Sequence, residues 1–266
     1  MEHPKALIVI PSRYGSTRFA GKPLALLRGK SMLSWVVAVA QQAARSCPGT
    51  EVMVATDDER ILNHARELDV MAVMTPVSCP TGTDRVHAAI QTLPEDKQPE
   101  IIINYQGDAP LASPDYLQAM IQAFHNDASI EAVTPAVRLS WATLDDFRES
   151  KKITPFSGTT VVVDAQGRAL WFSKNILPGI RKEARNEPLS PVLKHVGLYG
   201  YRRAFLNDFV SWPEGVYEKI EGLEQLRILE QRRTLHVLEL AGNADELGVD
   251  TPEDLARAEA ILAKIQ

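Results

Sequence analysis

Runs of apolar residues alternate with amphipathic segments through the first half of the chain. The apolar runs, each bounded by turn-forming residues, are 6–10, 51–55, 71–74 and 101–105. Segments with a helical repeat of apolar positions lie between them at 32–45, 59–68 and 83–92. Such alternation is typical of βαβ units, in which a mostly parallel sheet carries helices on both faces. The pattern therefore predicts a Rossmann-like α/β fold.

The second half of the chain has a different pattern. Irregular stretches join predicted strands at 131–137, 158–163, 169–172 and 195–201, so residues from about 131 to 215 are interpreted as a smaller antiparallel insertion. A long helix is predicted over 218–230, a last strand near 234–240, and a final helix capped by Thr251 that ends at about Lys264. The charged, proline-rich stretch 178–191 is the best candidate for a mobile loop. We expect a single domain over residues 1–266, because α/β domains often reach this length.

Composition excludes several classes of protein. The 266 residues include 29 Lys and Arg against 34 Asp and Glu, a net charge of −5 without the basic excess that favours general nucleic-acid binding. The chain has two cysteines, Cys47 and Cys79, too few for a disulfide framework or a four-thiolate zinc site. No apolar run reaches membrane-spanning length. We expect a cytoplasmic protein with reduced thiols that binds no nucleic acid and inserts into no membrane.

The segment after the first apolar run has the composition of a phosphate-binding loop. Residues 11–24 read P-S-R-Y-G-S-T-R-F-A-G-K-P-L. Arg13, Arg18 and Lys22 supply positive charge, and Ser16 with Thr17 supplies hydroxyl donors. The spacing matches neither the dinucleotide-binding fingerprint nor the Walker loop. The alternative interpretation is a basic surface loop.

Two aspartates are candidate ligands for a divalent cation. Asp108 follows the apolar run that ends in N-Y-Q-G-D, where a carboxylate facing a phosphate loop on the neighbouring strand suits Mg²⁺. Asp250, in V-D-T-P-E-D, is the natural second carboxylate. Each also has an ordinary structural interpretation, as a turn residue or at the start of a helix.

Other polar segments have two interpretations each. T-G-T-D-R at 81–85 opens a helix and offers Arg85 to a base edge or an anion, or is a plain capping segment. The acids of V-A-T-D-D are interpreted mainly as helix caps, and His195 as a core imidazole in an apolar strand. Glu224 and Arg227 have the spacing of a surface ion pair. The motifs of serine hydrolases, zinc proteases and thiol redox proteins are missing from the sequence.

Taken together, these motifs resemble the 3-deoxy-manno-octulosonate cytidylyltransferase (CMP-KDO synthetase) family. The segments that carry the likeness are the loop at 11–24, V-A-T-D-D, T-G-T-D-R, N-Y-Q-G-D, K-H-V-G-L-Y-G-Y, E-G-L-E-Q-L-R and G-V-D-T-P-E-D. They span nearly the whole chain in order. The resemblance implies an α/β nucleotidyltransferase, usually a homodimer, that uses Mg²⁺ and CTP to make a CMP-sugar and pyrophosphate for lipopolysaccharide or capsule synthesis.

The resemblance also implies roles for individual residues. These are Arg13, Ser16 and Lys22 on the CTP phosphates, Thr83 and Arg85 beside the cytidine, Gln106 beside the nucleoside or sugar, Asp108 and Asp250 on Mg²⁺, and Lys174, His195, Tyr199, Glu224 and Gln225 on the acidic sugar. Arg13, Lys22 and the two aspartates would support in-line attack of the anomeric hydroxyl on the α-phosphorus of CTP.

Three positions depart from the usual family pattern. Ala109 replaces an acid or Gln, Thr160 replaces a Lys, and Lys174 replaces an Arg, whose planar fork grips carboxylates in bidentate fashion. We expect an altered acceptor pocket with the CTP half intact. Amino-KDO, a nonulosonate or a phosphonate is an alternative acceptor, and a non-catalytic CTP-binding regulatory protein is an alternative from a different class.

Overall fold

The computed structural model describes residues 5–15, 19–242, 248–249 and 251–265. The strands are β1 (Ala6–Ser12), β2 (Leu26–Leu27), β3 (Lys30–Ser31), β4 (Thr50–Thr56), β5 (Met71–Met74), β6 (Ile101–Asn104), β7 (Ala132–Ser140), β8 (Thr160–Val163), β9 (Ala169–Ser173), β10 (Leu189–His195), β11 (Tyr199–Arg202) and β12 (His236–Leu240). The helices are α1 (Met32–Ser46), α2 (Glu59–Glu67), α3 (Gly82–Gln91), α4 (Pro114–Asn126), α5 (Trp141–Ile153), α6 (Arg203–Ser211), α7 (Val216–Glu221), α8 (Leu226–Glu230) and α9 (Pro252–Ile265).

The chain divides into two compact units. The first unit comprises Met1–Asp127, Gly200–Val210 and Glu246–Gln266, and the second comprises Ala128–Tyr199 and Ser211–Asp245. Among the described residues, no helix combines the length and the apolar character needed to cross a membrane.

The first unit is built on a parallel sheet. β1 pairs in parallel with β4 and with β6, and β4 pairs in parallel with β5. Every residue of β1 and β6 is buried, as expected of central strands covered on both faces. Because parallel strands end at one edge of a sheet, the loops that follow β1, β4 and β6 converge there.

The second unit is mainly antiparallel. β10 pairs antiparallel with both β7 and β8, and β8 pairs antiparallel with β9, whereas β12 adds to β7 in parallel. A core cluster joins α5 to β7 and β10 through Leu139, Trp141, Leu144, Phe147 and Val192. The predicted fold class, a mostly parallel α/β sheet with a smaller antiparallel part, is confirmed.

Several details of the second half differ from the sequence prediction. The strand predicted over 195–201 is the end of β10 and the start of β11, and β10 begins at Leu189, inside the predicted loop 178–191. The helix predicted over 218–230 is two helices, because Gly222 adopts φ 63° and ends α7, so that α8 begins four residues later at Leu226. The pattern also missed α5 and α6, and α4 in the first half. Ser140 caps α5 by accepting the backbone N–H of Thr143 at 3.1 Å. Polar residues separate the few apolar positions of α5, so its helical repeat is weak in the sequence.

Candidate functional site

A cavity of about 250 Å³ opens in the first unit where the parallel strands end. Its lining residues come from the end of β1, the segments after β1, β5 and β6, and the start of α3: Pro11, Ser12, Arg13, Lys22, Pro23, Cys79, Pro80, Thr81, Gly82, Arg85, Gln106, Gly107 and Asp108. The polar lining is rich in donors and in cations, which suits an anionic ligand. The structure thus brings five predicted residues, Arg13, Lys22, Arg85, Gln106 and Asp108, to one cavity.

Lys22 and Asp108 form an ion pair in this cavity. The Lys22 Nζ lies 3.1 Å from Asp108 Oδ2, and the two side chains are 13% and 34% exposed. Gly21, at φ 69°, turns the chain into the short 3-10 helix that carries Lys22. The pair places a cation and a carboxylate side by side, and both are open to a ligand.

Asp250 and Ser16 lie outside the described residues. The backbone N–H of Val249, the residue that precedes Asp250 in the sequence, donates to the carbonyl of Asp108 at 2.7 Å. Within the described ranges, no group of three or more His, Cys, Asp or Glu side chains is arranged to hold a metal ion.

Ser12 is a cavity residue that the sequence reasoning missed. Its side chain is buried, and its Oγ has no hydrogen-bond partner among the described residues. Gly107 faces it closely, since a Cβ on Gly107 would lie 2.8 Å from both Pro11 O and Ser12 Oγ. A buried hydroxyl without a partner is costly, and its place in the cavity lining points to a ligand atom as the missing partner. The signal in the sequence was a hydroxyl residue directly before Arg13.

Arg85 reaches the cavity from α3 and is held by residues behind it. Its Nη2 donates to Asp57 Oδ2 and its Nη1 donates to Thr75 Oγ1, each at 2.7 Å. The interpretation of the V-A-T-D-D acids as helix caps is right for Asp58, which caps α2, and wrong for Asp57, which pairs with the buried guanidinium. Because two sides of this guanidinium are occupied, its orientation toward the cavity is fixed.

Thr83 lies behind the cavity lining. It is 1% exposed, and its Oγ1 accepts from Asn104 Nδ2 at 3.1 Å. Asn104 Oδ1 in turn accepts from Gln106 Nε2 at 3.1 Å, and Gln106 lines the cavity. Thr83 therefore orients Gln106 through Asn104, a residue that the sequence reasoning did not select.

The second unit holds the five residues that the resemblance implies for the acidic sugar. His195 Nε2 lies 2.8 Å from Thr134 Oγ1, and that hydroxyl donates its proton to the carbonyl of Leu198 at 2.7 Å. His195 must then donate from Nε2, which leaves Nδ1 as an acceptor. Burial, with the nearby charge of Lys174 as the smaller cause, lowers the pKa of His195 from 6.5 to about 3, so the ring is neutral at physiological pH.

Tyr199 and Gln225 form a buried polar pair beside this histidine. The Tyr199 hydroxyl donates to Gln225 Oε1 at 3.0 Å, and the Tyr199 and His195 rings have centroids 5.6 Å apart. Burial and then the charge of Glu224 raise the pKa of Tyr199, so its hydroxyl keeps its proton. Gln225 Nε2 is buried with no acceptor in the part of the chain that the structure describes. This amide is a second donor whose partner is missing.

Lys174 and Glu224, the remaining predicted residues, act on His195 and Tyr199 through their charges. Lys174 lies directly after β9, with its backbone N–H on Glu221 Oε2 at 2.8 Å, and its charge acts on His195. Arg227 Nη2 comes no closer than 4.0 Å to Glu224 and instead makes a buried ion pair with Glu218, whose Oε2 accepts from its Nε at 2.8 Å. The expected Glu224–Arg227 pair is therefore present only at this long distance, and it is not a surface pair, because α8 turns Arg227 inward toward Glu218.

Fold and cavity together are typical of α/β nucleotide-binding proteins, and the cavity lining carries cations and hydroxyls. The family model described as cytidylyltransferase matches residues 7–235. Curated proteins named 3-deoxy-manno-octulosonate cytidylyltransferase match nearly the full length. The chain belongs to the 3-deoxy-manno-octulosonate cytidylyltransferase family.

The relatives match throughout their length. The protein of Maricaulis maris is 40% identical over 97% of this chain and 96% of its own length, and that of Bdellovibrio bacteriovorus is 37% identical over 97% and 98%. A solved structure of CMP:2-keto-3-deoxy-manno-octonic acid synthetase complexed with CTP has a TM-score of 0.84 and 35% identity, covering 98% of this chain and 100% of that one. A cytidylyltransferase from Leptospira borgpetersenii, at 16% identity and a TM-score of 0.62, shares the fold.

Proposed function

We propose that this protein transfers the cytidylyl group of CTP to the anomeric hydroxyl of KDO or a closely related 3-deoxy sugar acid. The anomeric oxygen bonds to the α-phosphorus, the bond from that phosphorus to the bridging oxygen breaks, and pyrophosphate leaves. The observation that carries the proposal is the cavity with its Lys22–Asp108 pair, at the strand ends of a chain whose relatives bear this name over their full length.

The first unit would bind CTP. Arg13 and Lys22 would neutralise the phosphates, and the Ser12 hydroxyl would donate to a phosphate or ribose oxygen. Gln106, oriented through Asn104, would position the nucleoside. Cations held in place before the reaction stabilise charge that develops on the phosphorus and on the leaving pyrophosphate.

Asp108 and Asp250 are proposed to hold Mg²⁺. Asp108 offers a carboxylate oxygen in the cavity lining, the type of ligand that Mg²⁺ prefers, and the hydrogen bond from Val249 ties the chain next to Asp250 to it. When bound, Mg²⁺ would supply charge neutralisation on the phosphate oxygens. Lys22, now paired with Asp108, would then be released to the phosphates.

The second unit would bind the sugar acid. Lys174 would pair with the carboxylate, Gln225 Nε2 would donate to a sugar oxygen, and His195 Nδ1 would accept from a hydroxyl. A neutral His195 and a protonated Tyr199 suit a ligand rich in hydroxyl groups, since neither adds a charge to the pocket. Glu224 would accept from further hydroxyls.

The assay that tests this function measures pyrophosphate release from CTP by the purified protein with Mg²⁺ and a panel of acidic sugars. KDO, amino-KDO and a nonulosonate form the panel, with EDTA as the control for the metal. Turnover with KDO that stops on chelation is expected. Turnover with another acid alone would change the acceptor, and CTP binding without turnover on any acid would favour the regulatory alternative.

Assembly and location extend the proposal. Family resemblance supports a homodimer that works in the cytoplasm and feeds lipopolysaccharide or capsule synthesis. Light scattering after size-exclusion chromatography tests the dimer, for which a mass near twice the 29.4 kDa of the chain is expected.

A further inference from the structure

The chain directly after β9 is held in place through its backbone. We call residues 173–177 the Lys174 segment. Glu221 accepts from Ser173 Oγ and from the backbone N–H of Lys174, both at 2.8 Å. Ser173 Oγ accepts in turn from the backbone N–H of Asn175 at 2.9 Å. These bonds fix one side of the segment.

Lys151 of α5 fixes the other side. Its Nζ donates to the carbonyls of Pro155 at 3.1 Å and Gly158 at 3.0 Å, and also to the carbonyl of Lys174. An ammonium group has three N–H donors, and these three carbonyls use all of them. Lys151 therefore has no N–H left to offer a substrate and can act only through the chain it holds.

Thr160 of β8 holds the end of the segment. It is fully buried, its Oγ1 donates to the carbonyl of Asn175 at 2.7 Å, and the same oxygen accepts from the backbone N–H of Leu177 at 3.0 Å. Both hydrogen-bonding functions of the hydroxyl are thus used within the segment. A side chain without a hydroxyl could make neither bond.

The surroundings of Lys151 are strongly cationic. Lys151 Nζ and Lys194 Nζ lie 5.0 and 5.2 Å from the centroid of the same Phe147 ring. Burial, then the charges of Lys174 and Lys194, lower the pKa of Lys151 to about 8, and Glu221 opposes this effect. Holding this ammonium beside two other cations is unfavourable, which argues that its three contacts with backbone carbonyls serve the geometry of the Lys174 segment.

We propose that Lys151 and Thr160 are positioning residues, which set the place of the Lys174 ammonium and thereby the affinity for the carboxylate of the acceptor. This inference rests on the proposed function, in which Lys174 meets that carboxylate. Neither residue contacts the substrate. Both act by fixing the backbone from which Lys174 extends, where a displacement of about 1 Å has large kinetic effects.

Steady-state kinetics of the full-length protein with Mg²⁺, CTP and KDO test the inference. Lys151→Met keeps the length of the side chain and removes its donors, and should raise the KM for the sugar acid about tenfold with the KM for CTP unchanged. Lys152→Met is the matched control, because Lys152 is the exposed neighbour that pairs with Glu149. The control should match the wild type in both constants.

A double-mutant cycle separates positioning from general damage. Because Lys151 acts through Lys174, the Lys151→Met/Lys174→Met protein should bind the sugar acid no more weakly than Lys174→Met alone. Thr160→Val should also raise the KM for the sugar acid, and Thr160→Ser, which restores the hydroxyl, should bring it back. If Lys151→Met fails to fold, the comparison of Thr160→Val with Thr160→Ser still tests the positioning role.

The possible failures can be told apart. If Lys174→Met raises the KM for the sugar acid while Lys151→Met and Thr160→Val, folded by circular dichroism, leave it unchanged, the positioning roles are wrong and the proposed function stands. Additive effects in the double mutant would also overturn the inference. If the wild type turns over no sugar acid, the proposed function fails and this inference fails with it. If the wild type is active and Lys174→Met has no effect, the proposed function stands, but the role of Lys174 and this inference are wrong.

Discussion

At the scale of single residues, the polar side chains in and behind the cavity differ in whether the protein itself supplies their hydrogen-bond partners. Arg85, Asn104 and Thr83 have their partners within the protein. Ser12 Oγ has none among the described residues although it is buried. Arg85, Asn104 and Thr83 hold the cavity in shape, whereas Ser12 Oγ, in the cavity lining, is left for a ligand.

Asp108→Asn should nearly abolish turnover. The change keeps the size of the side chain and removes the charge that faces Lys22 and the proposed metal, a loss of several kcal/mol or about 10²-fold or more in kcat. Pyrophosphate release measures it, with Asp96→Asn, at an exposed aspartate outside the cavity, as the control. Full turnover in a folded Asp108→Asn protein would refute the metal site.

Ser12→Ala should affect activity and stability differently. The KM for CTP should rise about three- to tenfold through the loss of one hydrogen bond to the ligand, whereas the free energy of unfolding should not fall, because a buried polar group without a partner is removed. Urea unfolding without ligand and steady-state kinetics measure the two quantities. Ser46→Ala, on the exposed side of α1, should change neither; a destabilised Ser12→Ala protein would show that Ser12 has an internal partner.

His195 should make the free energy of unfolding fall in weak acid. Its pKa is about 3 in the folded protein and about 6.5 in the unfolded chain, so between these values the unfolded chain binds the additional proton. The contribution of His195 to stability is therefore complete above pH 6.5 and is lost as the pH falls toward 3. Between pH 7 and 5.5 the free energy of unfolding should fall by roughly 1 kcal/mol. His195→Gln should lack this contribution, as urea titrations of both proteins at the two pH values would reveal; parallel pH curves would contradict it.

At the scale of elements, the break between α7 and α8 places Glu224 and Gln225 in a non-helical segment. A continuous helix over 218–230 would carry them on helical positions, whereas the C-cap at Gly222 allows an irregular segment before α8. Gly222 has φ 63°, and an added Cβ would meet no described atom within 4 Å. The requirement for glycine is therefore one of backbone conformation alone.

Gly222→Ala should lower the free energy of unfolding by about 1 kcal/mol, because a residue with a Cβ is strained in the left-handed conformation. The melting temperature should drop by about 2–4 °C. Gly179→Ala, at a position with equal space and no positive φ, is the matched control and should lose nothing. Equal melting temperatures for the two variants would mean that α7 can end without the left-handed residue.

At the scale of the whole molecule, the proposed function places the binding of CTP in the first unit and that of the sugar acid in the second. Lys22 lies in the first and Lys174 in the second. Lys22→Ala should raise the KM for CTP, and Lys174→Met the KM for the sugar acid, each by about tenfold or more and with the other constant within about twofold. Steady-state kinetics with both substrates varied measure the KM for CTP and the KM for the sugar acid in each variant. Equal effects of either variant on both substrates would contradict this division.

Most of the parallel half of the fold, apart from α4, was predictable because its signal is local. β1 and β6 are continuous buried runs, and Ser31, Asp58 and Thr81 are strong helix caps at the starts of α1, α2 and α3. The weak helical repeat of α5 and the backbone conformation of Gly222 escaped the same reasoning. At α5, tertiary packing outweighs a pattern that single positions express poorly. At Gly222, the left-handed backbone conformation is not encoded in the apolar repeat.

The sequence by itself determined the chemistry available: a strand followed by a loop of cations and hydroxyls, an aspartate at the end of another strand, and the order of motifs that marks the family. Tertiary structure decided the partners. Lys22 meets Asp108 across 86 positions, Asp57 takes the guanidinium of Arg85, and Tyr199 finds Gln225. The physical reason is that hydrogen bonds and ion pairs act over a few ångströms, so they depend on which strand ends and helix starts the folded sheet brings together.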